Sequence, residues 1–272
     1  MSQPEKGMSS EDAFFKKVAG HVNEDDYAKI INGSVNSAGH TRKKDVFDLN
    51  GQSHSVKSGK KWQMFLYAKS RLEKDNMMRA IGRVADLLIA CIDSLPSTRD
   101  EREKTPMRFK IALQNPMREL AREFQQTKIL KGFLEKAFFE GSEIDFLAIL
   151  PSDINQVDAS IGEKNFHVFD AKQVVEVMSD GMVVCNSKAR NRNQMDAQKV
   201  VFRNTIKDDK NNDKEIQLGE IELRTDQHNW GRMKMWLDSK KMLPFLMERI
   251  PDTSNPIHCI TVHGKAIKKI RL

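Results

Sequence analysis

One acidic and one basic residue stand at opposite ends of a predicted β-hairpin in the run KKDVFDLNGQSHSVKSGKKWQ. Asp45 begins the first predicted strand, and Lys57 closes the second. The intervening Asn50-Gly51 pair is a strong hairpin signal. Pairing of the strands would bring the carboxylate and the ammonium to one point on the rim of a sheet. Such a pair suits phosphodiester hydrolysis, in which a carboxylate holds Mg²⁺ and a lysine orients water or offsets charge developing on phosphorus.

The residues after this hairpin are predicted to form a helix. Apolar side chains recur at helical spacing from Trp62 to Leu72, starting just after Gly59. Lys60 and Lys61 would then lie at the helix N-terminus. Backbone N–H groups at a helix start, together with two lysines, would suit a DNA phosphate.

An Asp on one strand, a short hairpin and an x-Lys on the next strand resemble the PD-(D/E)xK nuclease superfamily. The run SVKSGKKWQ is similar to the segment around the catalytic lysine of type II restriction endonucleases, and GHTRKKDV is similar to the loop before their first catalytic strand. The resemblance covers roughly residues 38–66. It implies an α/β restriction-endonuclease-like core, Mg²⁺-dependent cleavage of double-stranded DNA, a homodimer and a companion DNA methyltransferase. By the motif, Asp45 becomes the metal ligand and Lys57 the catalytic lysine.

The chain departs from that family pattern at residue 55. A second carboxylate is expected there, and the chain has a serine. The hydroxyl of Ser55, or a water bound to it, would have to complete the metal shell. Alternatively a carboxylate from elsewhere contributes, with Asp48 and Glu11 as the first candidates. The number of metal ions therefore stays open.

Two other acidic groups also match simple catalytic patterns. Asp145 and the Asp170-Ala171-Lys172 run satisfy the bare Asp…x-Lys pattern, although Asp170 stands where a strand gives way to a helix and suits an N-cap. Glu220 and Glu222 alternate on one face of a predicted strand. They could bind a metal ion, or they could form an exposed face balanced by lysines.

Two polar segments are candidates for contacts with DNA bases. The loop SKARNRNQ contains Arg190, Arg192 and Gln194, and the segment RTDQHNWGRMKMW contains His228 and Arg232. Arginine pairs with guanine edges, and glutamine pairs with adenine edges. A solvent-exposed loop without a ligand has much the same composition.

Charge is concentrated around the predicted hairpin. The whole chain of 272 residues carries a formal charge of +7, and residues 42–83 alone contain eleven basic and four acidic side chains. This excess favours a polyanionic partner, although a solvated basic surface would look similar. The chain lacks the GxxxxGK[ST], GxSxG and HExxH motifs, so nucleotide hydrolysis by a P-loop, serine hydrolysis and zinc catalysis are set aside.

The expected architecture is a single α/β domain over residues 1–272. A mixed central β-sheet assembled from both halves of the chain is flanked by helices, with an N-terminal helical segment and a helical insertion at about 76–140. A further helix is predicted from Trp230 to Arg249. No run of 18 apolar residues is present, and Cys91, Cys185 and Cys259 show no metal or disulfide pattern. A reducing cytoplasm without membrane attachment is therefore expected, and the resemblance to restriction endonucleases implies a prokaryotic one.

The leading hypothesis is a type II restriction endonuclease. A structure-specific repair or resolving nuclease of the same fold would carry the same hairpin. A DNA-binding protein without catalytic activity would explain the missing carboxylate at residue 55. The three hypotheses differ in whether DNA is cut and in what feature of DNA directs the cut.

Overall fold

The strands of the structure form two β-sheets, not the single central sheet predicted from the sequence. The computed structural model describes residues 23–36, 43–151, 160–191, 194–252 and 259–270. Numbered in chain order, the described strands of sheet A are, from edge to edge, β1 (Ser34–Val35), β2 (Val46–Phe47), β3 (Ser53–Lys57), β5 (Phe146–Ile149), β6 (Phe166–Asp170) and β11 (Ile260–His263). Those of sheet B are β4 (Lys61–Ala68), β10 (Arg232–Asp238), β9 (Asp213–Arg224), β8 (Lys199–Lys207) and β7 (Val183–Asn186).

Sheet A is mixed and sheet B is antiparallel. In sheet A, β3 pairs parallel with β5 and β6 pairs parallel with β11, whereas the other neighbours are antiparallel. The helices are α1 (residues 23–30), α2 (Lys69–Lys74), α3 (Asn76–Arg79), α4 (Val84–Asp93), α5 (Arg99–Lys104), α6 (Pro106–Glu123), α7 (Thr127–Phe139), α8 (Ala171–Gly181) and α9 (Ser239–Arg249). The prediction of an α/β protein with a mixed sheet flanked by helices is confirmed at this level.

Two hydrophobic clusters lie on opposite faces of sheet A. Leu147 and Ile149 of β5 belong to the larger cluster, which also contains the buried faces of sheet B and helices α4, α6, α7 and α8. Phe146 and Ala148 point the other way, into a smaller cluster with Tyr27 of α1. All four residues of β5 are buried because helices or the second sheet cover both faces of this strand.

The helix predicted after Gly59 is wrong, since Lys61–Ala68 form strand β4. Burial alternates from Trp62 to Met64, because Gln63 between these two buried residues is exposed. The next residue, Phe65, is buried as well and breaks the alternation. A register shift opposite Met235 and Trp236 causes this, because it leaves Met64 without a partner on β10. One extra residue at a bulge changes the apolar spacing along a strand from two to three, which imitates a helix.

The helix predicted from Trp230 to Arg249 is correct only in its second half. Arg232–Asp238 form β10, in which Met233, Met235 and Leu237 are buried on alternate positions. The helix starts at Ser239, where the Asp238 side chain accepts a hydrogen bond of 3.1 Å from the backbone N–H of Lys240. Methionine favours helices, and pairing with two neighbouring strands overrides that preference here.

Every element between Asn76 and Phe139 is a helix, α3 to α7. Gly82, with φ at +49°, separates α3 from α4, and a turn at residues 124–126 separates α6 from α7. These helices cover one face of sheet B and complete the larger cluster. Among the described residues, no helix combines the length and hydrophobicity needed to cross a bilayer.

Helix α1 is attached to sheet A by a buried hydrogen bond between Tyr27 and His54. The Tyr27 hydroxyl lies 2.9 Å from Nδ1 of His54, and both side chains have no exposed surface. Burial lowers the pKa of His54 from 6.5 to about 4, although the Asp48 carboxylate, 3.7 Å from Nε2, opposes the shift. The imidazole is therefore neutral in the folded protein at pH 7.

We expect this histidine to make the fold sensitive to acid. Between pH 6.5 and 4 the unfolded chain binds a proton that folded His54 rejects, so stability is complete above this window and is lost as pH falls through it. The contribution is about 1.4 kcal/mol per pH unit and about 3 kcal/mol in total. Urea unfolding of the wild type and of His54→Gln at several pH values measures it. The wild type should lose stability more steeply; parallel profiles would contradict the assignment.

Candidate active site

Asp45, Ser55 and Lys57 come together where β2 and β3 pair. Oδ2 of Asp45 accepts a hydrogen bond of 2.7 Å from the backbone N–H of Val56 and one of 3.2 Å from the Ser55 hydroxyl. Nζ of Lys57 donates to the Ser55 oxygen at 2.7 Å and lies 3.7 Å from Oδ2 of Asp45. The proximity expected from the hairpin is therefore present, with the serine hydroxyl between the two charges.

Strand alternation decides which way this group faces. Ser55 and Lys57 are two residues apart and share one face of β3. They pair with Leu147 and Ile149 of β5, which point into the larger hydrophobic cluster. The side chains of Asp45 and Lys57 are each 18% exposed. The pair thus lies at the border between the core and solvent, where charges interact more strongly than in bulk water and a ligand can still approach.

One oxygen of the Asp45 carboxylate remains for a ligand. Oδ1 accepts no hydrogen bond within the described chain, whereas Oδ2 is held by backbone and hydroxyl groups. Magnesium often takes only one or two protein carboxylates and completes its shell with water and substrate phosphate. Over the described ranges, no three His, Cys, Asp or Glu side chains form a group that could hold a metal ion. The residues fit Mg²⁺ held through Oδ1 of Asp45, with Ser55 buried between Asp45 and Lys57, and they do not form a complete protein cage.

Asp48 does not supply the missing second carboxylate. Its Oδ1 accepts hydrogen bonds of 2.9 Å from the backbone N–H groups of Asn50 and Gln52, which shapes the hairpin turn. Its Oδ2 is directed toward His54, which lies on the face of β3 opposite to Ser55. Asp48 therefore has a structural role. The other candidate, Glu11, lies outside the described residues.

Lys43 belongs to the same neighbourhood and was not identified from the sequence. Its Nζ donates a hydrogen bond to the backbone carbonyl of Ala137 at the end of α7 and lies 3.5 Å from Oε1 of Glu140. Burial lowers the pKa of Lys43 to about 8; the Glu140 carboxylate opposes this shift, and the Lys57 ammonium adds to it. In the sequence, the only signal for Lys43 is its place in the KKD run, two residues before Asp45.

Glu140 joins this group to the helical layer. It follows α7 in the left-handed conformation, with φ at +48°. Its Oε2 accepts a hydrogen bond of 2.6 Å from Lys136, which also lies 3.1 Å from Asp75. Alternating charges therefore extend from Lys43 through Glu140 and Lys136 to Asp75 in the helical layer. Sequence reasoning had no means of finding Glu140, because its position depends on how α7 packs against sheet A.

Lys60 and Lys61 are not at a helix N-terminus. Lys60 lies in the turn before β4, Lys61 is the first residue of that strand, and both are exposed. Nζ of Lys61 lies 4.1 Å from the centroid of the Trp236 ring, a cation–π contact. The predicted phosphate site built on helix N–H groups is therefore wrong, and the two lysines are exposed charges at the edge of sheet B.

The rival acidic pair is explained by structural roles. Asp145 and Asp170 lie at the same end of paired strands β5 and β6. Oδ2 of Asp145 accepts a hydrogen bond of 2.8 Å from the backbone N–H of Ser53. The Asp170 side chain caps α8, as predicted, and also bonds to Lys269. Lys172 is exposed on the first turn of α8 and has no contact with either acid.

Glu220 and Glu222 lie on one face of β9, and cations neutralise them. Nζ of Lys199 bonds to Oε1 of Glu220 and lies 3.0 Å from Oε2 of Glu222. Arg224 donates to Glu222 at 2.8 Å, and the Trp236 indole N–H donates to Glu220 at 3.2 Å. These contacts match the expectation of a strand face balanced by basic residues.

The candidate DNA contacts fall in two loops at the same end of sheet B, because Lys199 at the start of β8 pairs with Glu222 near the end of β9. Arg190 and Gln194 are exposed in the loop between β7 and β8, at one end of sheet B. His228 is exposed in the turn between β9 and β10, and Arg232 is exposed at the start of β10. Arg192 lies outside the described residues.

No protein-family model, no curated protein sequence and no solved structure matches this chain. The resemblance to PD-(D/E)xK nucleases therefore remains a prediction based on the residues and their arrangement.

Proposed function

We propose that this protein is a Mg²⁺-dependent endonuclease that hydrolyses double-stranded DNA at specific sequences, in the manner of type II restriction endonucleases. The observation that carries the proposal is the group formed by Asp45, Ser55 and Lys57, with 3.7 Å between the lysine nitrogen and the carboxylate. The strong basic excess of residues 42–83 adds support, because it suits a phosphate backbone. A restriction-endonuclease-like core, a homodimer and a companion methyltransferase are parts of the same proposal.

The residues of this group have separate tasks in the proposed reaction. Mg²⁺, when bound, would polarise a phosphoryl oxygen and acidify a water molecule. Asp45 would hold the ion through Oδ1, while the Val56 N–H and the Ser55 hydroxyl fix the carboxylate through Oδ2. The Lys57 ammonium, held by Ser55, would orient the attacking water and offset negative charge on the phosphate.

Cleavage of phage DNA tests the proposal directly. Purified protein incubated with Mg²⁺ should produce discrete fragments, and sequencing of their ends should show one short common site. The same reaction in EDTA should leave the DNA intact. Cutting confined to branched or damaged DNA would favour a repair or resolving nuclease. Absence of Mg²⁺-stimulated cleavage over many substrates would favour a DNA-binding protein without activity.

A further inference from the structure

A cavity of about 440 Å³ opens on the polar face of sheet B, far along the chain from Asp45. Strands β8 and β9, the loop before β8 and helix α6 line it. Its basic residues are Lys110, Lys188, Arg190, Lys199 and Arg203. The volume lies within the roughly 300–1,000 Å³ of typical small-molecule sites. A cavity with five basic side chains favours an anionic ligand.

The acidic residue of the cavity, Glu220, offsets the charge of one of these cations, Lys199. Glu220 is 7% exposed, and both of its oxygens are occupied. Oε1 accepts from Lys199 and from the indole N–H of Trp236, and Oε2 accepts from Gln217 at 2.9 Å. The buried carboxylate is thus satisfied within the wall of the cavity.

Three cations have capacity for a ligand. The side chains of Lys188 and Arg190 are exposed and form no ion pair within the described part of the chain. Arg203 pairs with Glu215 at 2.5 Å through Nη1, and its Nη2 forms no hydrogen bond within the described residues. A phosphate oxygen could accept a charge-assisted hydrogen bond from Nη2.

The remaining wall suits a flat ring with polar edges. Met195 and Val201 supply apolar surface. The amide nitrogen of Gln198 donates a hydrogen bond of 3.0 Å to the Lys110 carbonyl, and that of Gln217 donates to Glu220. The amide oxygens of both glutamines are therefore left as acceptors. Gln194 uses its oxygen to accept from the Arg190 backbone N–H at 3.0 Å, so that its NH₂ group is left as a donor. Donors and acceptors of this kind match the edges of nucleobases.

We infer that this cavity binds a single nucleotide, with the phosphate beside Lys188, Arg190 and Arg203 and the base between the apolar residues and the glutamine amides. The ligand is either a free nucleoside monophosphate or one nucleotide unit of a DNA strand. The second source rests on the proposed function, whereas affinity for a nucleotide does not depend on cleavage at Asp45.

Calorimetric titration of the full chain with each of the four deoxynucleoside monophosphates tests the inference. We expect at least one to bind, and the double variant K188Q/R190Q should bind it at least about tenfold more weakly. The matched control K207Q/K214Q removes two charges from exposed positions of β8 and β9 outside the cavity and should bind as the wild type does. Absence of binding at millimolar nucleotide, unchanged binding by K188Q/R190Q, or equal binding of inorganic phosphate would each overturn the inference.

Competition distinguishes the two sources of the nucleotide. The Asp45→Asn variant, which keeps the cavity intact, is first loaded with the monophosphate and then mixed with a DNA duplex. Displacement of the monophosphate by the duplex would identify DNA as the source. Lack of displacement would identify a free nucleotide. Nucleotide binding without DNA cleavage would leave this inference intact and contradict only the proposed function, and cleavage without nucleotide binding would do the reverse.

Discussion

Replacement of Lys57 by methionine should reduce Mg²⁺-dependent cleavage by about 10²–10³-fold, the usual cost of removing one group that stabilises charge in the transition state. Methionine keeps much of the apolar stem and removes the ammonium that lies 2.7 Å from Ser55 and 3.7 Å from Asp45. The Asp45→Asn variant should lose at least as much activity, because it removes the charge expected to hold the metal ion. Both variants should still bind DNA, since Lys57→Met keeps ten of the eleven basic side chains of residues 42–83 and Asp45→Asn keeps all of them. Initial rates on a plasmid with one site, together with a gel-shift assay, measure the two effects separately.

A matched control uses a lysine away from the site. Lys104 is exposed at the end of α5 and forms no ion pair within the described ranges, so Lys104→Met should cut at the wild-type rate. Circular dichroism should show that all three variants are folded. If Lys57→Met and Asp45→Asn both cut DNA as fast as Lys104→Met does, the assignment of the catalytic group is incorrect.

Removal of the Asp26 carboxylate should lower the free energy of unfolding by about 3–5 kcal/mol, as expected when a buried ion pair loses one member. Nζ of Lys164 lies 2.5 Å from Oδ2 of Asp26, and its side chain is completely buried. In Asp26→Ala, the hydrogen bond left to the ammonium among the described residues would be the one to the amide oxygen of Asn23, at 3.2 Å. The loss should be visible in urea unfolding at pH 7.

Two further variants test whether the loss of stability comes from leaving a buried charge without a partner or from the loss of an ion pair as such. Asp26→Leu combined with Lys164→Met removes both charges and should recover most of the lost stability, because apolar pairs often replace buried ion pairs without loss. Lys29 lies 3.7 Å from the other oxygen of Asp26, but its side chain is 67% exposed. Lys29→Ala should therefore cost less than about 1 kcal/mol. An Asp26→Ala variant no less stable than Lys29→Ala would contradict the role given to the buried pair.

The features predicted correctly are those that local sequence determines. Asn50-Gly51 and the side chain of Asp48 define the hairpin turn within a few residues, and strand alternation then places Ser55 and Lys57 on one face. The cap at Asp170 is also local, since the strand ends and the helix begins at the same residue. For these positions, neighbours along the chain contain the necessary information.

The features missed depend on contacts between distant segments. Strand β4 was predicted as a helix because the bulge at Met64 exists only against β10, some 170 residues later. Lys43 reaches Glu140 only after α7 packs beside sheet A. The division into two sheets likewise depends on which strands pair. Hydrophobic spacing alone cannot determine these arrangements, because several pairings bury the same residues.

Only Ser58, Gly59 and Lys60 separate β3 of sheet A from β4 of sheet B. The four chain steps from Lys57 to Lys61 can extend at most about 14 Å, little more than the major-groove width of about 12 Å in B-DNA. In a complex with a duplex, the part of the DNA contacted by Lys61 and the bond cut beside Lys57 would therefore lie within roughly one groove width of each other. Lengthening this short connection should displace the position of the cut relative to the contacted bases.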